Sequence, residues 1–404
     1  MAVGWGVGCA RPPLPAIGTE PELRIGLAEN RPSVALGGDG ELILTDDATG
    51  QPIGSIPAGV RWNVVPDPAG IRLVRLDGSQ SEPHPGVFAV NVTEGRYAMA
   101  DGRSYRGRLD VVRGAGGGVL VVNRVSLESY VAGTIGAEMG ARRPEELNAL
   151  RAQAVVSRTF ALKNRGRWEA QGLDAFADVR DQVYGGIASE SPQVWDAVRA
   201  TAGLVLVYDG LPIDAYFHST CGRTTAGVEE AFATAVARPY LHPVSDASGG
   251  GRHYCDISPR FRWRQEWDAS TLRAILTRTL PAVMNVSSNG LQPITDIEVT
   301  RTTRSGRVGE LRIVFEHGDV RVPGPSVRSV LRPEAGRLLS SQAFELHVTR
   351  DGGGRVSHLV AAGAGAGHGV GFCQWGAVGR ARAGQDFHTI LATYFPGTRV
   401  EKLY

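Results

Sequence analysis

"RRPEELNALRAQAVVSRTFALKNRG", Arg142 to Gly166, is where the chain changes its period. Before it, apolar residues alternate in short runs. Within it, they recur every three or four positions. Pro144 stands at a first helical position, Glu145 and Glu146 fill the first turn, and Lys163 and Arg165 come just before Gly166. Acid near the start, base near the end and a closing glycine are the boundary signals of a long helix. Leu147, Arg151, Ala154, Arg158 and Leu162 share one face of it. Two readings of that face stand. The arginines snorkel from the edge of a core, or they border a cleft and grip an acidic or polyhydroxyl ligand.

Working outward, Glu22 to about Val125 is a series of short alternating runs ("LRIGLA", "ELILTD", "GIRLVRL", "GVFAVNV") separated by Gly, Asp and Pro. That grammar predicts a small β-rich region. Downstream, "SPQVWDAVRATAG" predicts a second helix, with Ser191 as cap, Pro192 next and Gly203 as terminator. "LVLVYDGLPIDAYFHST" predicts a hairpin turning at Asp209-Gly210. Residues 290–350 return to strands, and two short helices are expected near Gln374–Ala383 and Phe387–Tyr394. The fold class is therefore α+β: a β-rich core, a long helix after the candidate acid Glu138, and a Gly-rich loop before C-terminal helices. The expected division is a disordered leader over 1–20, a β-rich region over 21–125 and one further domain over 126–404.

The bulk composition excludes some classes. Hydrophobic residues make up 42% and charged residues 21% of 404, which fits a globular chain. A net charge of +2 argues against a nucleic-acid partner, and no run has the length of a membrane-spanning helix. Gly8-Cys9 resembles the end of a truncated lipoprotein signal, so a lipid on Cys9 is the one expected tie to a membrane; an ordinary cysteine in a leader is the alternative. With Cys9 set aside, Cys221–Cys255 is the natural disulfide pair, although connectivity is open.

Several stretches carry chemistry. Glu138, in "GTIGAEMGARR", sits among Ile135, Ala137 and Met139, and a carboxyl in apolar surroundings can serve as a general acid near neutrality. Asp214, Tyr216 and His218 alternate with Ile213, Ala215 and Phe217, so one strand face carries three polar groups. His218, Cys221, His253 and Cys255 have the ligand types for zinc but not the spacing of a standard finger, and rank below a disulfide or free thiols. No metal or cofactor is expected. "AGHGVGFCQWGA", Ala366 to Ala377, offers His368, Gln374 and Trp375 in a loop whose glycines permit positive φ and a close backbone approach to a ligand. An amide and an aromatic plate suit a sugar; a tight turn before a helix is the plainer reading.

Three segments together carry a resemblance. "GHGVGFCQWGA" is similar to the G-H-G-V-G-x-S/C-Q-x-G-A loop of the SpoIID/LytB family. "AEMGARRPEELNALRAQAVVSRTFAL" resembles that family's E-M-P-x(n)-P-E-A-L-K-A-Q-A-V-A-A-R-T-F. "DAYFHSTCGRTT" resembles its A-x-F-x-S-T-S/C-G-G-x-T segment. They occur in the family's order from about Leu127 onward. The resemblance implies a peptidoglycan lytic transglycosylase that cleaves the MurNAc–GlcNAc bond and leaves a 1,6-anhydro-MurNAc end. Glu138 matches the catalytic glutamate. Arg151, Gln153, Arg158, His368 and Gln374 match positions implied to bind substrate, with Asp214, Tyr216 and His218 beside them as candidates.

The implied partners are glycan strands stripped of stem peptides and a cell-wall amidase, in an extracytoplasmic setting. The implied alternative is a non-catalytic wall-binding amidase enhancer. A zinc- or Cys-dependent hydrolase on His218, Cys221, His253 and Cys255 is a third reading. Two departures matter. Gly140 replaces the proline that usually follows E-M. The zinc loop that some members carry before Q-V-Y is missing ahead of Gln182-Val183-Tyr184.

Overall fold

The structure, a computed structural model, describes residues 18–287 and 291–404. The leader expected over 1–20 lies mostly outside the described residues, Cys9 included. The fold is α+β, and the chain divides into two compact units. One comprises residues 1–214 with 400–404, the other residues 215–399. The change from strands to helices at residue 126 lies inside the first.

In the first unit the alternating runs form two sheets. One has seven strands, in the order Ala175–Phe176, Glu22–Arg31, Val119–Ser126, Arg108–Arg113, Gly86–Asn91, Leu42–Asp46, Pro52–Ile56. Among the described residues its ladders are antiparallel except the short pairing of Ile25 with Ala175 and Gly26 with Phe176. The second sheet runs Gly70–Val74, Arg61–Asp67, Val34–Gly38, Ala98–Ala100, Arg103–Tyr105. Period-2 alternation puts Leu23, Ile25, Leu36, Leu44, Val64, Ile71, Leu109 and Val111 inside.

Three helices follow. α1 (Leu127–Met139) starts at Ser126, whose Oγ accepts from Ser129 N. α2 (Leu147–Lys163) continues from a tight turn at Pro144–Glu146. α3 (Pro192–Ala200) is capped by Ser191, whose Oγ accepts from Val194 N at 3.2 Å. The predicted hairpin is present: Leu204–Tyr208 pairs with Leu211–Pro212, and Asp209 and Gly210 both have positive φ, 52° and 74°, as a type I′ turn needs. α2 is buried on every side from Ala152 to Ala161, so it has no wet face to border a cleft along that length.

The sequence signals miss α1 because it has no stripe. Eight of its thirteen residues are buried, and Gly133 and Gly136 weaken its propensity. The glycines are there for contact. A Cβ on Gly133 would lie 2.4 Å from the Tyr184 ring, and one on Gly136 would lie 1.7 Å from the Ser189 carbonyl oxygen. Main chain cannot step aside as a side chain can. Gly136→Ala is therefore expected to cost about 1–3 kcal/mol, read as a fall in Tm of roughly 2–12 °C for a unit of this size.

The second unit contains α4 (Val228–Ala231), then a sheet of Arg262–Asp268, Val356–Ala364 and Phe344–Arg350, and another of Ile294–Thr302, Val308–Phe315 and Gly318–Pro323. α5 (Ala269–Met284) and α6 (Gly324–Val330) complete this part. Trp267, Leu276, Leu311, Val330 and Leu359 centre a core drawn entirely from this stretch. α5 falls in a stretch given no element above, yet its signals are plain: Asp268 caps it through Thr271 N at 2.7 Å, and Leu272, Ile275, Leu276, Thr279 and Leu280 form its buried stripe. α7 (Gln374–Arg382) and α8 (Phe387–Tyr394) close the unit within a residue of expectation.

Candidate functional site

Glu138 is half-buried in the last turn of α1, between buried Ile135 and Met139. Its Oε1 accepts from Val183 N at 3.0 Å. The loop that supplies this donor is fixed on both sides. Gln182 Nε2 donates to Ser157 O at 3.2 Å, Tyr184 OH donates to Asn123 Oδ1 at 2.9 Å, and Gly185 N donates to Gly133 O at 3.1 Å. The Gln182-Val183-Tyr184 sequence thus orients the carboxylate. Gly140 has φ +68°, which proline cannot adopt. The helix ends there, and Gly140 N returns to Gly136 O at 2.9 Å. The loop that follows is tied back by Arg142, which donates to Met139 O, and by Glu146, which accepts from Arg143 N at 3.1 Å.

The α2 residues diverge. Arg151 is half-buried and donates to Asn148 Oδ1 at 3.1 Å, while its buried Nε has no hydrogen-bond partner among the described residues. Gln153 is fully buried and donates to Ser157 Oγ at 3.0 Å. Arg158 has no exposure at all. Its Nε and Nη2 grip Glu128 at 2.8 and 2.6 Å, and its Nη1 donates to Leu204 O at 2.9 Å. The two-pronged pairing that makes arginine a good ligand gripper is spent here on α1. Arg158 ties α2 to α1 and has no exposed surface.

Asp214 ends the first unit, half-buried. The expected alternation through Asp214, Tyr216 and His218 does not persist. Tyr216 is half-buried, but His218 is only 4% exposed while Phe217 is partly exposed. The cause is a short parallel pairing of Phe217–His218 with Phe372–Cys373, which turns His218 inward. Its Nδ1 donates to Val370 O at 3.0 Å.

The glycines of the Gly-rich loop pack closely against other parts of the second unit. Gly365, Gly367, Gly369 and Gly371 all have positive φ. A Cβ on each would meet, in turn, Thr220 O at 2.6 Å, His218 Cβ at 2.9 Å, the Arg307 guanidinium at 2.5 Å and Tyr216 O at 2.3 Å. The backbone comes close to the 216–221 segment, not to open space. His368 Nδ1 accepts from Val370 N at 3.1 Å, and its ring lies 5.3 Å from that of Phe232 and 5.6 Å from that of His218. Burial, with the His218 and Arg328 charges nearby, pushes its pKa down to about 3, so it is neutral and carries no proton to donate as an imidazolium. Gln374 opens α7 and is 7% exposed; Trp375 N donates to Ser219 O at 3.0 Å.

Beside this loop lies a cluster built from remote parts of the unit. Cys221, Asp246, Cys255 and Cys373 are all buried, and their ligand atoms lie within 4.8 Å of one another. Cys221 and Cys255, the pair expected as a disulfide, are free thiols with sulfurs 3.5 Å apart. His253 is not in the group; its ring lies 5.9 Å from that of Phe261. Two buried arginines were not singled out in the sequence. Arg307 donates to Cys221 O at 3.0 Å and Thr224 O at 2.9 Å, and Arg380 donates to Asp246 Oδ1 at 3.2 Å. Nothing in their local sequence marks them, since each meets partners more than 80 residues away.

Comparison with known proteins agrees in part with the motifs. The SpoIID family model, described as a stage II sporulation protein, matches residues 115–208, and a domain of unknown function (DUF8618) matches residues 252–371. An uncharacterized protein of Brachyspira hyodysenteriae is 32% identical over 286 residues, spanning 70% of this chain and 68% of that protein. The amidase enhancer of Bacillus subtilis is 28% identical over 62% of this chain, which spans only 38% of that longer protein. Stage II sporulation protein D of Bacillus subtilis is 26% identical, over 70% of this chain and 76% of its own. Among the described residues, no helix is long and apolar enough to cross a membrane.

Proposed function

The chain belongs to the SpoIID family, and from that premise we propose that it acts outside the cytoplasm on the bacterial cell wall, as a lytic transglycosylase with Glu138 as acid and base. The observation that carries the reading is the setting of Glu138. It is one carboxyl at a helix end, oriented by the Val183 amide and bracketed by Ile135 and Met139. Protonated Glu138 gives its proton to the glycosidic oxygen, and the bond from that oxygen to the MurNAc C1 breaks. The 6-hydroxyl of the same MurNAc then bonds to C1, and its proton passes to the Glu138 carboxylate. No water is consumed, and the acid is regenerated. Within the first unit Arg151 is the candidate that touches the glycan beside Glu138, and Gln153 and Arg158 hold the helix that presents it; within the second unit, taken by itself, Tyr216 and Gln374 are candidates to touch glycan, with His368 holding their loop.

The test is a digest of purified glycan strands, with and without stem peptides, read by mass spectrometry. Wild type is expected to produce 1,6-anhydro-MurNAc ends on the stripped strands. Glu138→Gln should be slower by about 10²–10⁴-fold, the share a positioned acid commonly supplies. Wild type that binds strands without cutting them would overturn the catalytic reading. In that case an amidase added to the same strands should work faster in its presence, the behaviour named in the Bacillus subtilis amidase enhancer.

A further inference from the structure

We propose that the second unit holds a structural zinc ion on the sulfurs of Cys221, Cys255 and Cys373 and a carboxylate oxygen of Asp246. The geometry is that of a single tetrahedral ion. With Zn–S near 2.3 Å, neighbouring sulfurs of a tetrahedral site stand about 3.8 Å apart. Cys221 and Cys255 are at 3.5 Å, and all four ligand atoms fall within 4.8 Å of one another. That spacing is too long for an S–S bond of about 2.05 Å and too tight to enclose an iron–sulfur cluster. All four side chains are buried, and four ionisable groups do not gather out of water without a charge to bring them together.

The surroundings point the same way. Cys373 caps α7, and its sulfur accepts from Cys221 N at 3.2 Å and Gly376 N at 3.3 Å. Main-chain donors aimed at a sulfur at a helix N-terminus favour a thiolate. Asp246 is oriented as a ligating carboxylate is: Tyr394 OH and Arg380 donate to Oδ1 at 2.7 and 3.2 Å, and Cys255 N donates to Oδ2 at 2.9 Å. Gly376 makes room for this, since a Cβ there would lie 2.0 Å from the Tyr394 hydroxyl and 2.9 Å from Asp246.

Charge closes the argument. Three thiolates, one carboxylate and one Zn²⁺ leave the centre doubly negative. Arg380 and Arg307, buried beside it, supply two positive charges. The Arg307 guanidinium donates to the Thr224 and Cys221 carbonyls, and Glu230 on one side and the cysteine cluster on the other are the groups near enough to offset its buried charge. His218 Nε2, buried and without a hydrogen-bond partner among the described residues, adds a polar group beside Cys221. On binding, three Zn–S bonds form as the Cys221, Cys255 and Cys373 thiols release their protons to solvent, with no change of oxidation state.

The ion would sit at the base of the stretch that carries its own core. Cys221 and Cys255 precede residues 262–364, and Cys373 follows them. One zinc would clasp both ends of that stretch and fix the start of α7 next to Gln374. This role does not depend on glycan cleavage.

The test uses the full chain purified without chelator. Elemental analysis is expected to find about one zinc per chain, and Co²⁺ exchanged into the site should show thiolate-to-metal charge transfer. Cys255→Ser should lower zinc occupancy at least tenfold, whereas His253→Ala should keep it. Should Cys255→Ser not fold, the wild type decides: chelation should lower its Tm, and added zinc should restore it. A metal-free chain with a Cys221–Cys255 disulfide, two mass units lighter, would overturn the proposal, as would metal-free protein with these thiols all free. Glu138→Gln should retain full zinc, so the two readings fail separately.

Discussion

Arg158→Met is expected to destabilise the first unit by about 3–5 kcal/mol, the cost of breaking a buried ion pair from one side. The side chain has no exposure, so solvent screening does not soften the loss. Methionine fills much of the volume but strands Glu128, which also accepts from Gly203 N at 3.1 Å and from the Tyr404 hydroxyl. The half-buried carboxylate would be deprived of its ion-pair partner. Arg158→Lys should recover part of the loss, because it restores the charge without the two-pronged geometry. Urea unfolding of the full chain followed by circular dichroism checks this: the variant should lose its first-unit transition at markedly lower denaturant. An unchanged midpoint would mean that Arg158 is replaceable packing and that Glu128 is held by its other donors.

Gly371→Ala is expected to cost about 2–5 kcal/mol. Two terms add. With φ at +69°, an alanine meets about 1–2 kcal/mol of left-handed backbone strain. Its Cβ would also lie 2.3 Å from the Tyr216 carbonyl oxygen, an overlap with main chain worth about 1–3 kcal/mol. Gly384→Ala separates the terms: φ is +82°, but nothing lies within 4 Å of its Cβ, so only the strain remains. Thermal melting of both variants should show the larger drop for Gly371. Equal drops would mean that the loop gives way without cost and that the close approach at Tyr216 is incidental.

Much of the architecture could be read from sequence wherever the signal is local. α2, α3, the hairpin at Asp209-Gly210 and the two C-terminal helices all announce themselves by caps, closing glycines or turn pairs. α1 does not, because a helix buried on most sides shows no period. The site was harder for a related reason: a residue type states what a side chain can do, not whom it meets. Arg158 could grip a ligand, but Glu128, thirty positions upstream, occupies it. The loop glycines permit a close approach, but the 216–221 segment makes it. The cysteine cluster was least legible. Cys373 joins Cys221 across 152 positions, and Asp246 has no motif around it. Glu138 is a candidate by its apolar neighbours and by resemblance; its Val183 donor is visible only in the fold.

The first unit is completed by residues 400–404, where Leu403 N donates to Gly203 O at 2.8 Å and the Tyr404 hydroxyl reaches Glu128. On the ribosome those residues emerge long after Asp214. At a synthesis rate of about 5–20 residues per second the delay is roughly 10–40 s. For that interval the ion pair beneath α1 lacks its last hydrogen-bond donor, while the second unit is still being made. A nascent chain therefore spends that interval with the Glu138-bearing unit unfinished, and a substitution at Leu403 or Tyr404 acts on a unit whose other residues end at Asp214.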